Sequence, residues 1–222
     1  MGDLFFPINE VFETLQAEGT RTGTPSIFMR LQGCGVACPW CDTKHTWALD
    51  PSRRISAEEM LAKEADAPTY AEMTAAELAQ VARGLESRHV VLTGGEPCDY
   101  DLDALTDALL REGKSVQVET SGTAPVRVLP LVWVTCSPKI GMPGGLGVLP
   151  GAVRRADEIK MPVGRPRDIE TLVTLLEETG ASAPVFLQPL STSEKATRLC
   201  IEEARRRGWR VSLQMHKFCG LR

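Results

Sequence analysis

Short stretches dominated by apolar and β-branched residues recur along the chain, and between them runs the three-to-four-residue spacing of amphipathic helices. The pattern predicts strands at residues 27–31, 89–93, 116–119, 132–136, 158–160, 185–188 and 211–214. Several are near-continuous apolar runs, the expectation for parallel strands covered on both faces. The helices between them mark their own ends. Thr74 with Glu77 reads as a capping box ahead of Leu78, Val81 and Leu85 on one face, and Ser56 with Glu59 is a second such start. A helix over 101–112 stops at Gly113 and one over 168–179 at Gly180. A third, opened by Ser191 with Glu194, stops at Gly208.

This β-α alternation predicts an α/β fold with a parallel sheet, but the alternation is incomplete. Residues 120–131 include Gly122, Pro125 and Pro130 and leave little room for a helix. The stretch 138–145 is loop chemistry, with Pro138, Pro143, Gly144 and Gly145. There are too few helices for a complete eightfold barrel. The expectation is a partial, open (β/α) barrel of parallel strands with reduced helical cover, as one domain over residues 1–222.

Parallel barrels bind ligands at the C-terminal ends of their strands, and the polar segments of this chain fall there. Strand 27–31 runs into a cysteine loop, and 89–93 into Gly94-Gly95-Glu96-Pro97. Strand 116–119 runs into Thr120-Ser121-Gly122, and 132–136 into Ser137-Pro138-Lys139. Strand 185–188 leads to Pro189-Leu190-Ser191, and 211–214 to Met215-His216-Lys217. Six strand ends thus converge on one rim.

Composition removes some alternatives. A formal charge of −4 argues against a nucleic-acid surface. Arg205, Arg206 and Arg207 read as cations at a helix C-terminus. No stretch reaches the ~20 apolar residues that span a bilayer, and the N-terminal residues show no basic region before an apolar run. A cytoplasmic protein with neither membrane nor nucleic-acid partner is expected.

Cys34, Cys38 and Cys41 stand in a C-x3-C-x2-C pattern within eight residues. Iron–sulfur clusters are normally held by four thiolates, so three leave one iron of a [4Fe–4S] cluster open. An open iron can chelate the amino and carboxylate groups of a methionine moiety and pass an electron into its sulfonium. The spacing therefore points to radical chemistry started from S-adenosylmethionine. Zinc, with His45 as fourth ligand, stays open at this point, although His45 follows Cys41 by only four residues and no second cysteine pair is near. Disulfides fit poorly with seven cysteines and no sign of secretion. Gly94-Gly95 alone is a turn; downstream of such a loop it reads as backbone left bare to approach a ligand, with Pro97 fixing the exit path.

The cysteine pattern with Trp40, together with Thr93-Gly94-Gly95-Glu96-Pro97, resembles the radical S-adenosylmethionine superfamily. Residues 9–19, 28–34 and 41–47 resemble more narrowly the 7-carboxy-7-deazaguanine synthase family. So do Glu119-Thr120-Ser121-Gly122, Ser137-Pro138-Lys139, Gln188-Pro189-Leu190 and Gln214-Met215-His216-Lys217, nearly end to end. The resemblance implies a [4Fe–4S] cluster on Cys34, Cys38 and Cys41. It implies S-adenosylmethionine contacts at Asp42, Thr43, Gly95, Ser137, Pro138, Lys139, Gln188, Pro189, Leu190 and Ser191. It places a substrate pocket at Leu15, Gln16, Ala17, Glu18, Arg30, Thr93 and His216, with Thr43 also reaching Mg²⁺. At position 17 the family usually has Gly.

The implied reaction turns 6-carboxy-5,6,7,8-tetrahydropterin into 7-carboxy-7-deazaguanine and ammonia. The resemblance also implies a reduced flavodoxin or ferredoxin as electron donor, and a homodimer. Arg30 suits a carboxylate through its planar fork, Glu18 and Gln16 suit an amino-pyrimidinone edge, and Mg²⁺ suits hard oxygen ligands.

Plainer readings accompany these residues. Arg30 can pair with a surface acid, Lys139 can be a solvated lysine, and Glu18 and His216 gain their roles only through the resemblance. His45 and His89 read as structural, and Cys98, Cys136, Cys200 and Cys219 as packing residues. The competing functions are a glycyl-radical activase, which shares the cysteine spacing, and an iron–sulfur carrier or zinc module, which has no use for the strand-end motifs.

Overall fold

The computed structural model describes residues 4–190 and 193–221. Among them nine strands form one sheet in the order β3-β1-β2-β4-β5-β6-β7-β8-β9. From β2 (Pro25–Leu31) the sheet runs parallel through β4 (His89–Gly94), β5 (Ser115–Thr120), β6 (Trp133–Cys136), β7 (Glu158–Val163), β8 (Val185–Pro189) and β9 (Arg210–Val211). It does not close, because the outermost strand at one end is β3 (Ala71–Thr74) and at the other β9. This is the partial, open barrel that the pattern predicts.

Two antiparallel strands were not foreseen. β1 (Phe5–Leu15) pairs antiparallel with both β2 and β3. Its alternation is broken by a register shift between Ile8 and Glu10, and consecutive Asn9 and Glu10 are both buried. A bulge of this kind hides a strand from a period-of-two search.

Helical cover is reduced in the way residues 120–131 suggest. The helices flanking that gap are α2 (Ala75–Gly84) and α3 (Asp103–Arg111) on one side, and α5 (Pro166–Thr179) and α6 (Glu194–Arg207) on the other. Between β5 and β6 the loop itself supplies the apolar cover, with Ala124 and Val132 buried and Val126, Val128 and Leu129 packed beside them. Both capping boxes are present, at Ser56–Glu59 before the short α1 (Ala57–Leu61) and at Thr74–Glu77 before α2. Gly180 and Gly208 end α5 and α6 in the left-handed conformation. The start of α6 differs from expectation: its N-cap is Ser193, whose side chain accepts from the Ala196 N–H, while Ser191 lies outside the described residues. A short helix over Pro150–Arg155 (α4) also fills part of the β6–β7 connection.

The strands are less uniformly apolar than the sequence suggested. β4 fits, with Val90, Val91 and Leu92 all fully buried. In β5 and β7 buried polar residues alternate with apolar ones: Gln117 beside Val116 and Val118, and Glu158 and Lys160 around Ile159. One face of those strands meets the helices, and the other carries polar groups into the barrel.

The β1–β2 connection fills that interior. Gln16 donates its N–H to Thr24 O at 2.8 Å and Gly23 donates to Gln16 O at 2.7 Å, closing the loop. From inside it, Gly19 N–H reaches Ser212 Oγ at 2.9 Å and Thr20 N–H reaches Glu158 Oε2 at 2.9 Å. Glu18 is thereby carried to the middle of the barrel. Among the described residues no helix is long and apolar enough to cross a membrane.

Candidate active site

The cysteine loop leaves β2 and is fastened before the first thiol. Gln32 is fully buried and donates its amide to His45 O at 3.0 Å and Ala48 O at 2.7 Å, while accepting from Asn9 Nδ2 at 2.8 Å. Gly33 and Cys34 then pair through their N–H groups with Thr46 O at 2.7 Å and Trp47 O at 3.0 Å. The loop's start and return are thus tied together, and the thiols lie on the arc between them. Ala37 takes φ 57°, so the arc holds a residue in the left-handed region.

Cys34, Cys38 and Cys41 all line one cavity of about 480 Å³. Burial pushes the Cys34 thiol up to about 11 and the Cys38 thiol in the same direction. Binding a metal cluster there must therefore displace protons. Cys41 Sγ accepts from Trp47 Nε1 and from Thr43 N, both at 3.4 Å. Three thiols on one short loop, with N–H donors already directed at a sulfur, are a donor set suited to an iron–sulfur cluster. His45 does not join them. It stands with Glu10 and Asp66, its Nδ1 3.9 Å from Asp66 Oδ2, so the zinc alternative loses its fourth ligand.

The glycine loop has a role beyond the one expected of it. Glu96 N–H donates to Gly33 O at 2.8 Å, and a Cβ on Gly95 would overlap that same carbonyl. Gly95 is bare because the cysteine loop packs against it, while both Gly94 and Gly95 still line the cavity. Glu96, 1% exposed, ties this loop to the next: it accepts from Thr120 Oγ1 and Ser121 N, each at 2.7 Å, from Cys98 N at 3.0 Å, and from Ser121 Oγ.

The other expected residues gather at the same place. Leu15, Gln16, Ala17, Glu18, Arg30, Asp42, Thr43, Thr93, Ser137, Lys139, Gln188, Leu190 and His216 line the cavity. Pro138 and Pro189 are not in its wall and only flank residues that are. Arg30 Nε pairs with the buried Glu10 Oε1 at 2.7 Å, and its guanidinium lies 5.3 Å from the Phe12 ring centre. Lys139 is no solvated lysine: burial pulls its ammonium down, and it donates to Ser137 O at 2.8 Å and Ser137 Oγ at 2.5 Å. His216 is likewise pulled down by burial. Ala17 is 6% exposed, and its carbonyl accepts from Met215 N at 3.2 Å, which brings the C-terminal segment against the loop.

Sequence reasoning missed the most heavily charged part of the wall. Lys160 Nζ bridges Glu18 and Glu119, the latter at 2.5 Å. The signal was present in the alternation Gln117-Val118-Glu119 and Glu158-Ile159-Lys160, which places polar groups on one face of β5 and β7. His89 sits deeper, bonded to Ser115 Oγ at 2.9 Å and Gln117 Oε1 at 3.0 Å, as a structural histidine should be. Cys98, Cys136 and Cys200 are buried packing residues, whereas Cys219 is exposed and does not pack.

Comparison with known proteins agrees with this geometry. Residues 29–133 match the model of the Radical SAM superfamily. The chain is similar to a 7-carboxy-7-deazaguanine synthase of Escherichia coli (strain K12), 51% identical over 220 residues, 97% of this chain and 99% of that one. It is similar also to the protein of that name in Buchnera aphidicola subsp. Schizaphis graminum (strain Sg), 39% identical over 223 residues, 99% of this chain and 100% of the relative. The crystal structure of QueE from Escherichia coli superposes with a TM-score of 0.90 at 50% identity, covering 95% of this chain and 94% of the other.

Proposed function

This chain belongs to the 7-carboxy-7-deazaguanine synthase family of the radical S-adenosylmethionine superfamily, and from that premise we infer how its cavity works. It is a radical S-adenosylmethionine enzyme of queuosine biosynthesis, converting 6-carboxy-5,6,7,8-tetrahydropterin into 7-carboxy-7-deazaguanine with loss of ammonia. Cys34, Cys38 and Cys41 would hold a [4Fe–4S] cluster, which together with S-adenosylmethionine would supply the radical chemistry that removes a hydrogen from the substrate and returns it.

The chain's own residues bind and orient. Glu10 pairs with Arg30 and sets its orientation, and the planar guanidinium would meet the substrate carboxylate. Glu18 accepts from the N–H donors of the amino-pyrimidinone edge, with Leu15, Gln16, Ala17, Thr93 and His216 shaping the space around the ring. Asp42, Thr43, Gly95, Ser137, Lys139, Gln188 and Leu190 would hold S-adenosylmethionine, with Pro138 and Pro189 shaping the turns that carry them. Thr43 Oγ1 would supply one hard oxygen to a Mg²⁺, whose charge would polarise the substrate carboxylate.

One domain over residues 1–222, a homodimer, a cytoplasmic location, a reduced flavodoxin or ferredoxin as donor, and no nucleic-acid or membrane partner complete the reading. The observation that carries it is the meeting of the three thiols with Glu18, Arg30 and His216 around a single cavity. Anaerobic turnover of the reconstituted protein with S-adenosylmethionine, Mg²⁺, a reductant and the tetrahydropterin tests it by mass spectrometry. The expected result is 7-carboxy-7-deazaguanine, lost in Cys38→Ala. Deoxyadenosine without that product would leave only the radical class standing.

A further inference from the structure

Glu18, Glu119 and Lys160 reach one point from three elements: the β1–β2 loop, β5 and β7. Lys160 Nζ takes one oxygen of each carboxylate. The other oxygen of each is met by two glutamine amides. Glu18 Oε1 accepts from Gln188 Nε2 at 3.1 Å and Gln214 Nε2 at 3.0 Å. Glu119 Oε1 accepts from Gln16 Nε2 and Gln117 Nε2, both at 3.1 Å. Every partner is an N–H donor, the environment in which a carboxylate accepts and does not donate.

The balance of charge is informative. Two carboxylates share one ammonium, so with both ionised the trio carries one surplus negative charge, and Lys160 is only 3% exposed. Charged groups facing it are Glu158 from β7, Lys139 from the loop after β6, and His216 from the short helix over His216–Cys219. Burial pushes the Glu18 carboxyl up, but the Lys160 ammonium overrides it and holds Glu18 at about 2. Burial keeps Glu119 raised. A buried surplus anion lining a cavity asks for a ligand rich in N–H donors, which an amino-pyrimidinone edge is.

We propose that Lys160 is a positioning residue for substrate recognition: by bridging Glu18 and Glu119 it fixes Glu18 as an aimed carboxylate for the N–H edge of the substrate ring. The proposal rests on the pterin reading above. It separates Lys160 from a mere clasp that keeps the β1–β2 loop inside the barrel, because a clasp has no bearing on how substrate binding responds to pH.

Lys160→Met leaves two buried carboxylates without a cation and risks the fold. Lys160→Met/Glu119→Gln lessens this by removing one of the two carboxylates and keeps the net charge of the fully ionised parent trio, and Glu119→Gln alone is its control. With the parent and Lys160→Arg, these are measured for KM and kcat toward the tetrahydropterin across pH 5.5 to 9. Binding of 6-carboxypterin to the cluster-free protein is followed over the same range. The expected result for the double variant against its control is a KM rise of about tenfold or more with a smaller change in kcat. An acidic limb in kcat/KM and in 6-carboxypterin binding should appear with it, and Lys160→Arg should recover most of both. Equal KM and pH profile in the double variant and Glu119→Gln would overturn the proposal, as would a parallel loss of KM, kcat and cluster content with no new limb. A parent that neither binds 6-carboxypterin nor turns over the tetrahydropterin overturns the functional reading as well; a parent that does both confines any failure to Lys160.

Discussion

The carbonyl of Gly33 occupies the place where a Cβ on Gly95 would stand. The turn before the first cysteine and the turn after β4 therefore pack backbone against backbone. Gly95→Ala leaves every thiol in place yet must push the cysteine loop outward. Overpacking of this kind costs about 1–3 kcal/mol, and here it falls on the loop that carries the three cavity thiols. We expect Gly95→Ala to fold with lowered stability and to take up distinctly less iron on reconstitution, measured by iron content and visible absorbance. Full iron loading would show that the loop shifts without consequence.

Glu96 makes its bonds entirely with protein donors. Replacing it by Gln keeps the shape but turns an NH₂ group toward donors that were paired with oxygen. Charge-assisted bonds contribute about 1.5–3 kcal/mol each, and an unmet buried donor adds to the loss. Glu96→Gln should lower stability to urea by about 2–4 kcal/mol, with weaker retention of S-adenosylmethionine because the Gly94-Gly95 and Ser121 turns lose their tie. A variant as stable as the parent would mean that water replaces the carboxylate.

All three histidines are pulled below their ordinary value of 6.5, each first by burial. The folded state then holds fewer protons than the unfolded state below pH 6.5, so stability rises with pH through that window and falls as pH drops below it. Glu119, raised above 4.5, acts in the opposite direction from pH 4.5 upward. His89 is the cleanest probe because both ring nitrogens are engaged. The urea midpoint should drop between pH 7.5 and 5.5 in the parent and drop less in His89→Gln. Equal drops would assign the effect to other groups.

Much of this could be read from local chemistry. The capping boxes at Ser56 and Thr74 and the stops at Gly180 and Gly208 depend on neighbours three or four residues away, and they lie where the residue types put them. For the same reason the cysteine spacing marked a loop whose three thiols line the cavity. What escaped is non-local. β1 was hidden by its bulge and by Pro7, and its strand character comes from pairing with β2 and β3. Lys160 stands in a short polar–apolar alternation, Glu158-Ile159-Lys160, that gives its face but not its partner, and its meaning depends on a glutamate 142 positions away. Ser193 displaced Ser191 as the α6 cap, a shift of two residues that pattern alone does not resolve.

Ala37 is the only non-glycine residue with positive φ among the described residues, at 57°, and it stands directly before Cys38. Left-handed backbone costs an L-residue roughly 1–2 kcal/mol, and a cost of that kind persists only where the surroundings impose it. Here the constraint comes from both sides: Gly33 and Cys34 are pinned to Thr46 and Trp47, and Gly144 N–H donates to Val36 O at 3.2 Å. Ala37→Gly removes the strain but gives the unfolded chain more freedom, roughly 0.5–1 kcal/mol, so the net change should be a slight gain or none. Ala37→Val carries a branched side chain into the same φ, where such residues are steric outliers, and should be less stable than the parent and lose part of its iron. The two variants in urea titration and iron analysis separate strain from side-chain contact. If Ala37→Gly also loses iron, the alanine methyl itself, and not the backbone it endures, is what orders the loop.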